Sequence, residues 1–290
     1  MAIQWFPGHM AKATREVKEN LKLVDIVFEL VDARCPLSSH NMYLDEVVKD
    51  KKKVIIFNKI DLCDKQETAK WKKYFEEKGY KVVYADAKNS NSLNDIIAKA
   101  KEELSEKIDR MIAKGMKPRA IRSMVIGVPN VGKSTFINKM IKKNVANTAN
   151  RPGVTKKQQW LKLNKDIDLL DTPGILMPKF DNQEIGKKLS LVGSIKDDIT
   201  PLDEVALYLI EFLKKYHFEE FKTFYKIDIT EDSENLEIME AIAKKRFKLI
   251  AGDYDYEAAI KLLIQDFRTQ KFGLITLDKY EDMLAHEDED

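Results

Sequence analysis

The segment from Gly127 to Ser134, G-V-P-N-V-G-K-S, fits the phosphate-binding pattern G-x-x-x-x-G-K-[ST]. It follows the apolar residues 124–126 and opens a helical pattern, which is the context that the motif requires. Small residues let successive backbone N–H groups face phosphate oxygens, and the new helix adds its positive dipole end. Lys133 is expected to reach the β- and γ-phosphates, and Ser134 to bind Mg²⁺. The motif predicts a nucleoside triphosphate site but does not choose the base.

A short acidic motif downstream suits the metal side of the same site. Asp171 opens D-T-P-G at the end of the apolar residues 167–170, and lies 38 residues after Lys133. A carboxylate at the tip of a buried strand can reach Mg²⁺ through a water, and the N–H of Gly174 can sense a γ-phosphate. Thr155, in a loop-like stretch between the two motifs, is placed to be a second Mg²⁺ ligand. The alternative is an ordinary threonine on a surface loop.

A third motif can read the base. The apolar residues 54–57 run into Asn58-Lys59-Ile60-Asp61, which fits N-K-x-D. The carboxylate of Asp61 can accept both N1–H and the exocyclic amine of guanine, a donor pair that adenine lacks. Asn58 would face the other edge of the base, and the stem of Lys59 would lie along its ring. Together with the two phosphate-side motifs, N-K-x-D predicts guanine.

A further base contact is expected from Asp86-Ala87-Lys88, although the acidic first residue departs from the serine usual there. The predicted nucleotide-binding residues are therefore Asn58, Lys59, Asp61, Asp86, Ala87, Lys88, Asn130, Val131, Gly132, Lys133, Ser134, Thr135, Thr155 and Gly174. The predicted Mg²⁺ ligands are Ser134, Thr155 and Asp171. The reaction predicted for this site is the hydrolysis of GTP to GDP and phosphate, with Lys133 as a catalytic residue.

Short runs rich in Val and Ile alternate with amphipathic stretches, which is typical of a mostly parallel sheet with crossover helices. The predicted strands are residues 26–31, 54–57, 81–84, 123–127, 160–163 and 167–170, and the predicted helices among them are residues 10–23, 41–49, 65–78, 92–107 and 133–142. Beyond about residue 182 the strand signal fades, and residues 201–216, 236–247 and 256–269 have helical patterns. We predict an α/β P-loop domain, residues 1–180, with helices on both faces of its sheet, followed by a small all-α domain, residues 181–290.

The distribution of charge favours a polyanionic partner. Residues 1–165 carry 34 Lys and Arg against 19 Asp and Glu, whereas residues 166–290 carry 16 against 29. Residues 133–165 alone hold nine basic residues and no acidic one. Nucleic acid is the first candidate for such a surface. The alternative is a solvated face together with a nucleotide pocket that needs positive charge.

Composition also limits the class of protein. The 290 residues are 44% hydrophobic and 34% charged, enough for a sizeable core. No stretch approaches the roughly 18 apolar residues that cross a bilayer, and the first residues lack the features of a secretory signal. The two cysteines, Cys35 and Cys63, have no metal or redox spacing. We expect a cytoplasmic, monomeric protein.

The motifs occur in an unusual order, with N-K-x-D before the phosphate loop and D-x-x-G last. With the segments I-Q-W-F-P-G-H-M-A-K at residues 3–12 and V-D-A-R at residues 31–34, this order resembles the circularly permuted GTPases of the bacterial ribosome-assembly group, of the ribosome biogenesis GTPase A type. The resemblance extends over nearly the whole chain. It implies a permuted GTPase domain followed by a helical domain similar to RNA-binding antiterminator modules. It also implies late assembly of the large (50S) ribosomal subunit, with hydrolysis stimulated by that particle.

The resemblance further implies partners and site residues. The partners would be the precursor of the large subunit and its rRNA, with no membrane and no DNA. Ile175 and Leu176 follow Gly174, where a Ras-like enzyme has the glutamine that orients water. The resemblance points to His9 as the group that takes this role, although His9 could simply pack the first helix. By similarity, Asn130 would help to bind K⁺ beside the phosphates, and the alternative is a neutral loop residue.

Two other functions remain open at this point. In one, GTP gates rRNA binding by an assembly scaffold and hydrolysis is incidental. In the other, the phosphate loop belongs to a kinase, which would need an acceptor site and would leave N-K-x-D unexplained. Guanine selectivity separates a GTPase from a kinase, and the effect of removing hydrolysis on assembly separates a switch from a scaffold.

Overall fold

The computed structural model of the chain describes residues 7–85, 92–117, 119–141, 159–171, 182–247 and 254–287. Within these ranges, side chains are described from residue 14 onward, apart from those of residues 159, 171, 286 and 287. The predicted domain boundary between residues 180 and 181 lies outside the described residues.

One sheet contains all the described strands. They are β1 (Ile26–Asp32), β2 (Lys52–Asn58), β3 (Lys81–Ala85), β4 (Ile121–Gly127), β5 (Gln159–Lys162) and β6 (Ile167–Asp171). Their spatial order is β3-β2-β1-β4-β6-β5, and among them only β5 runs antiparallel to its neighbour. The prediction of a mostly parallel sheet is confirmed, and the predicted strand ends lie within two residues of the observed ones.

Helices connect most of the strands and dominate the described chain after residue 182. They are α1 (Pro7–Leu21), α2 (Pro36–Ser39), α3 (Met42–Val48), α4 (Lys65–Glu77), α5 (Ser92–Glu103), α6 (Ser105–Ala113), α7 (Lys133–Ile141), α8 (Gln183–Leu191), α9 (Leu202–Tyr216), α10 (Phe218–Tyr225), α11 (Asn235–Arg246), α12 (Tyr256–Arg268) and α13 (Tyr280–Glu287), with a 3₁₀ turn at Asp197–Ile199. No helix among the described residues has the length and apolar character that crossing a bilayer requires.

One predicted helix is wrong in its extent. The sequence pattern predicts one helix over residues 92–107, but α5 ends at Glu103 and α6 begins at Ser105. Between them Leu104 leaves helical geometry, with φ −104° and ψ 9°, and its side chain is buried. The apolar pattern continues through the break, because Leu104 and Ile108 pack against the same core. The sequence pattern therefore does not reveal the kink.

Both faces of the sheet are covered, as the nearly continuous apolar runs of the strands require. Along β2, Val54 and Ile56 belong to the larger hydrophobic cluster, which also contains Ile96 of α5. Their neighbours Ile55 and Phe57 point to the opposite face, where they pack with Trp71 and Phe75 of α4. Alternate side chains of one strand thus pack against two different helices.

The parallel pairing brings the carboxyl ends of the strands to one edge of the sheet. Asp32 at the end of β1 pairs with Asn58 at the end of β2, which in turn pairs with Ala85 of β3. On the other side of β1, Leu30 pairs with Gly127, the last residue of β4. Ligands of open parallel sheets bind at this edge. Loops that are far apart in the chain therefore meet there.

The helical region after residue 182 shares its core with the sheet. Leu209 and Leu213 of α9, Leu263 of α12 and Ile242 of α11 are buried in the same hydrophobic cluster as β1 and β4. Because the cluster is continuous, the two regions pack through an apolar interface.

Residues 275–283, here called the docking segment, return to the first part of the chain. The N–H of Leu277 donates to the carbonyl of Arg34 at 2.6 Å. The carboxylate of Asp278 accepts from the backbone N–H of Ser38 at 2.8 Å and from its hydroxyl at 2.6 Å. The indole of Trp71 donates to the carbonyl of Asp278 at 2.8 Å. The docking segment thus joins the helical region to the helices that follow β1 and β2.

A buried ionic network surrounds Glu29, near the middle of β1. Glu29 of β1 is fully buried and accepts from the ammonium of Lys53 at 2.7 Å and from His40 at 3.1 Å. Asp45 contacts both His40 and Lys53. Burial opposes the charged form of His40, but the carboxylates of Glu29 and Asp45 outweigh it and raise the pKa of His40 to about 9. The three carboxylate and imidazole groups are therefore already paired with each other and with Lys53.

Candidate functional site

The phosphate loop follows β4 and is held in a tight backbone path. Gly127 (φ 150°), Asn130 (φ 54°) and Gly132 (φ 99°) all have positive φ, a region unfavourable for most side chains. A Cβ atom on Gly127 would lie 2.5 Å from the carbonyl oxygen of Leu30 in β1. Helix α7 begins directly after the loop, at Lys133. The positive, N-terminal end of α7 therefore borders the space that the loop encloses.

The side chain of Lys133 folds back onto the first residues of this loop. Its side chain is buried, and its ammonium donates to the carbonyls of Gly127 at 3.1 Å and Val128 at 2.9 Å. An ammonium held by neutral carbonyls is well placed to exchange them for phosphate oxygens, which bind a cation more strongly. Ser134 is half-buried and Thr135 is exposed at the start of the same helix.

The N-K-x-D loop contacts the phosphate loop directly. The side-chain amide of Asn58 donates to the carbonyl of Val131 at 2.7 Å, and the ammonium of Lys59 donates to the carbonyl of Asn130 at 2.7 Å. Both bonds span more than 70 residues of sequence. The two predicted motifs thus meet at the carboxyl edge of the sheet.

Gly132 makes this close approach possible. A Cβ atom there would lie 2.5 Å from Nδ2 of Asn58 and 3.8 Å from Cε of Lys59. Glycine at this position therefore serves two purposes, since it also provides the positive φ.

Asp61 lies in the turn that follows Lys59. Lys59 has a φ of 60°, and its carbonyl accepts from the N–H of Leu62 at 2.9 Å. This turn leaves the side chain of Asp61 exposed. Its carboxylate is therefore available to a ligand at the same edge of the sheet.

The helical region contributes a wall to the site. Nδ2 of Asn130 donates to the carbonyl of Gly193 at 2.8 Å, and Nη2 of Arg34 donates to the carbonyl of Val192 at 3.2 Å. A cavity of about 750 Å³ lies beside these contacts. It is lined by Arg34, Lys59, Asn130, Val192, Gly193, Ile195, Lys196, Asp197, Asp198, Gln265, Arg268 and Thr269. Its volume is in the range of pockets that hold a small-molecule ligand.

Sequence reasoning missed the buried pair of Asp32 and Arg34. Asp32, the last residue of β1, is fully buried and contacts both Arg34 and the ammonium of Lys59. Burial disfavours the charged carboxylate, but the guanidinium and the ammonium outweigh it and hold the pKa of Asp32 well below its usual range. The available signal was a charged residue, followed two positions later by arginine, at the end of an apolar strand.

Several predicted site residues lie outside what the structure describes. Asp86, Ala87, Lys88, Thr155 and Gly174 are outside the described residues. Of His9 and Asp171 the backbone alone is described: His9 lies in α1, and Asp171 ends β6. Asp171 pairs with Val125 of β4, so its backbone lies beside the strand that leads into the phosphate loop.

Two family models match long segments of the chain. Residues 9–181 match the family model described as RsgA GTPase. Residues 122–249 match the family model described as 50S ribosome-binding GTPase.

Individual relatives match over nearly the whole chain. A Bacillus pumilus protein named ribosome biogenesis GTPase A is 49% identical over 97% of this chain and 100% of its own length. A Thermotoga maritima protein of the same name is 30% identical over 97% of this chain and 96% of its own.

Two solved structures also match. A GDP-bound structure of Thermotoga maritima YlqF has a TM-score of 0.64 and 28% identity, covering 92% of this chain and 100% of that one. The GNP-bound structure of the same protein has a TM-score of 0.63 and 28% identity, covering 92% and 98%.

We expect Gly132→Ala to weaken guanine nucleotide binding by about tenfold or more, ~1.4 kcal/mol. The new methyl group would collide with Asn58 and separate the two loops. Titration with a fluorescent GDP analogue measures the change. Gly79→Ala is the matched control, because Gly79 also has positive φ (90°) but an added Cβ would meet nothing within 4 Å. Unchanged GDP affinity in Gly132→Ala would contradict this account of the loop contact.

Proposed function

The chain belongs to the ribosome biogenesis GTPase A family and is a GTPase, and from that premise we propose that it acts as a switch in assembly of the large ribosomal subunit. The observation that carries the proposal is the direct hydrogen bonding of Asn58 and Lys59 to the phosphate loop. It supports one site that holds the base and the phosphates of a single nucleotide. The names of the relatives support ribosome assembly as the setting.

On the base side, we assign guanine recognition to Asp61, with Asn58 and Lys59 in support. The exposed carboxylate of Asp61 accepts N1–H and the exocyclic amine of guanine. Asn58 and Lys59 are held by the phosphate loop, so the base loop has a fixed position relative to the phosphates. The assignment extends to Asp86, Ala87 and Lys88 as the third base contact, on their sequence position alone.

On the phosphate side, the backbone of residues 130–135 and the ammonium of Lys133 bind the β- and γ-phosphates. Mg²⁺ would be held by the hydroxyls of Ser134 and Thr155 and, through water, by Asp171. Support comes from Ser134, half-buried in the first turn of α7, and from β6, which ends beside β4. The ion would neutralise charge on the phosphates, and the N–H of Gly174 would sense the γ-phosphate.

The contacts of Arg34 and Asn130 with the turn at Val192 and Gly193 support a switch. Both side chains adjoin the nucleotide loops, and both donate to the start of the helical region. A rearrangement of the phosphate loop on hydrolysis would therefore change contacts made by that region. The permuted order adds a second route, because the D-x-x-G segment leads directly into α8. The helical region is then the part that presents the nucleotide state to the ribosomal particle and its rRNA.

Base selectivity tests the GTPase site. Asp61→Asn replaces an acceptor by an amide that can donate, so we expect at least about 100-fold lower kcat/KM for GTP and a gain for xanthosine triphosphate. The control is Asp64→Asn in the same loop, because Asp64 caps α4 and asparagine caps equally well. Unaltered preference for GTP in Asp61→Asn would exclude Asp61 as the base reader.

Potassium is the proposed cation beside the phosphates. The amide nitrogen of Asn130 is bonded to Gly193, which leaves its oxygen as the cation ligand. We expect GTP turnover to rise roughly tenfold when K⁺ replaces Na⁺. Asn130→Gly keeps the positive φ (54°) and removes the amide, so it should abolish the difference. Equal wild-type rates in the two salts would dismiss the potassium site.

The ribosomal partner and the role of His9 are tested together. Large subunits should co-sediment more protein with a non-hydrolysable GTP analogue than with GDP, and should stimulate GTP turnover. His9→Ala should keep co-sedimentation and lose the stimulated turnover, because the imidazole would orient the attacking water. If subunit assembly proceeds normally with His9→Ala while hydrolysis is lost, GTP acts as a gate for a scaffold and not as a switch.

A further inference from the structure

Asp32 holds two cationic side chains at the end of β1. One oxygen, Oδ1, accepts from the backbone N–H of Arg34 at 3.1 Å and from its Nε at 2.9 Å. The other, Oδ2, accepts from Nη2 of Arg34 at 2.8 Å and lies 2.9 Å from Nζ of Lys59. The carboxylate is fully buried, so these contacts replace the water that it loses. Both of its oxygens are committed to Arg34 and Lys59.

Lys59 is thereby held from two sides. Its ammonium lies between the carboxylate of Asp32 and the carbonyl of Asn130, at 2.9 Å and 2.7 Å. A lysine stem has four rotatable bonds and is ordinarily mobile at the surface. Here its end is fixed, and its backbone is in a left-handed conformation with φ 60°. These contacts therefore fix the direction in which the stem crosses the base loop.

Arg34 neutralises only part of the buried carboxylate of Asp32, which also contacts Lys59. A planar guanidinium pairs with a carboxylate through two parallel bonds, and it is the cation best suited to a buried pair. It neutralises Asp32 from one side, while Nη2 also donates to the carbonyl of Val192. The remaining lone pairs of Oδ2 are directed to Lys59.

We propose that Asp32 is a positioning residue for guanine nucleotide binding, which acts by holding the side chain of Lys59 across the base loop. Arg34 supports it by keeping the carboxylate oriented. The proposal deepens the proposed function and rests on the assignment of Lys59 to the nucleotide. No contact between Asp32 and the nucleotide is required.

The central test is a double-mutant cycle. Asp32→Asn keeps the shape of the side chain but removes the charge that faces Lys59. We expect it to weaken GDP binding about tenfold and to raise KM for GTP, with kcat at saturating GTP little changed. Lys59→Ala should weaken GDP binding by at least as much. Adding Asp32→Asn to Lys59→Ala should cause no further loss, because the group through which Asp32 acts is then absent.

The chain offers a matched control in the same strand. Glu29 is also fully buried in β1 and is also paired with a lysine of β2, Lys53, at 2.7 Å. Lys53 belongs to no nucleotide motif, so Glu29→Gln should lower the urea midpoint and leave GDP affinity unchanged. If Asp32→Asn lowers the midpoint but binds GDP like the wild type, the proposal is wrong. The proposal is also wrong if Asp32→Asn weakens GDP binding as much in the Lys59→Ala variant as it does in the wild type.

A failure of the Lys59 assignment is distinguishable from a failure of the role of Asp32. If Lys59→Ala binds GDP normally, the assignment of Lys59 fails, and with it the premise of this proposal. If Asp32→Asn does not fold, the double variant Asp32→Asn/Arg34→Gln removes both members of the pair and leaves no unpaired guanidinium. That variant should also bind GDP about tenfold more weakly. Wild-type affinity in a folded double variant would overturn the role of Asp32.

Discussion

Two hydrogen bonds join loops that lie more than 70 residues apart, and the nucleotide site depends on them. They form because the sheet places the ends of β2 and β4 on either side of β1, at one edge. Gly132 then allows the side chains of Asn58 and Lys59 to reach the backbone of the phosphate loop. Chain connectivity plays no part in this contact. Motif order can therefore be permuted without moving the N-K-x-D loop away from the phosphate loop.

The buried charges of β1 follow from its position at the centre of the sheet. Asp32 and Glu29 are both fully buried, and each is paired with a lysine contributed by or just after β2. Unpaired carboxylates there would be costly, so each fixes its partner in place. Near the middle of the strand this produces a closed network with His40. At the strand end it orders Lys59 of the N-K-x-D loop.

Much of this arrangement could be predicted from the sequence, because parallel strands and phosphate loops leave local patterns. The strands appear as apolar runs, and the two motifs each follow such a run. The pairing of Asp32 with Lys59 leaves no local pattern, since it depends on the register of β1 against β2. The break at Leu104 also leaves no signal, because the periodic pattern of apolar residues continues through it. Helix α2 has only four residues, which is too short to produce a helical period in the sequence.

The docking segment has a consequence for the order of biosynthesis. During translation, β1 and β2 leave the ribosome long before residues 275–283 do. Leu277 and Asp278 nevertheless form hydrogen bonds with residues that follow β1 and β2 in the sequence, namely Arg34, Ser38 and Trp71. Until those residues emerge, the surfaces of α2 and α4 that they cover stay open to water or to chaperones. Arg34 thus acquires its last backbone partner late in translation. Completion of the proposed guanine site would then lag behind formation of the central sheet.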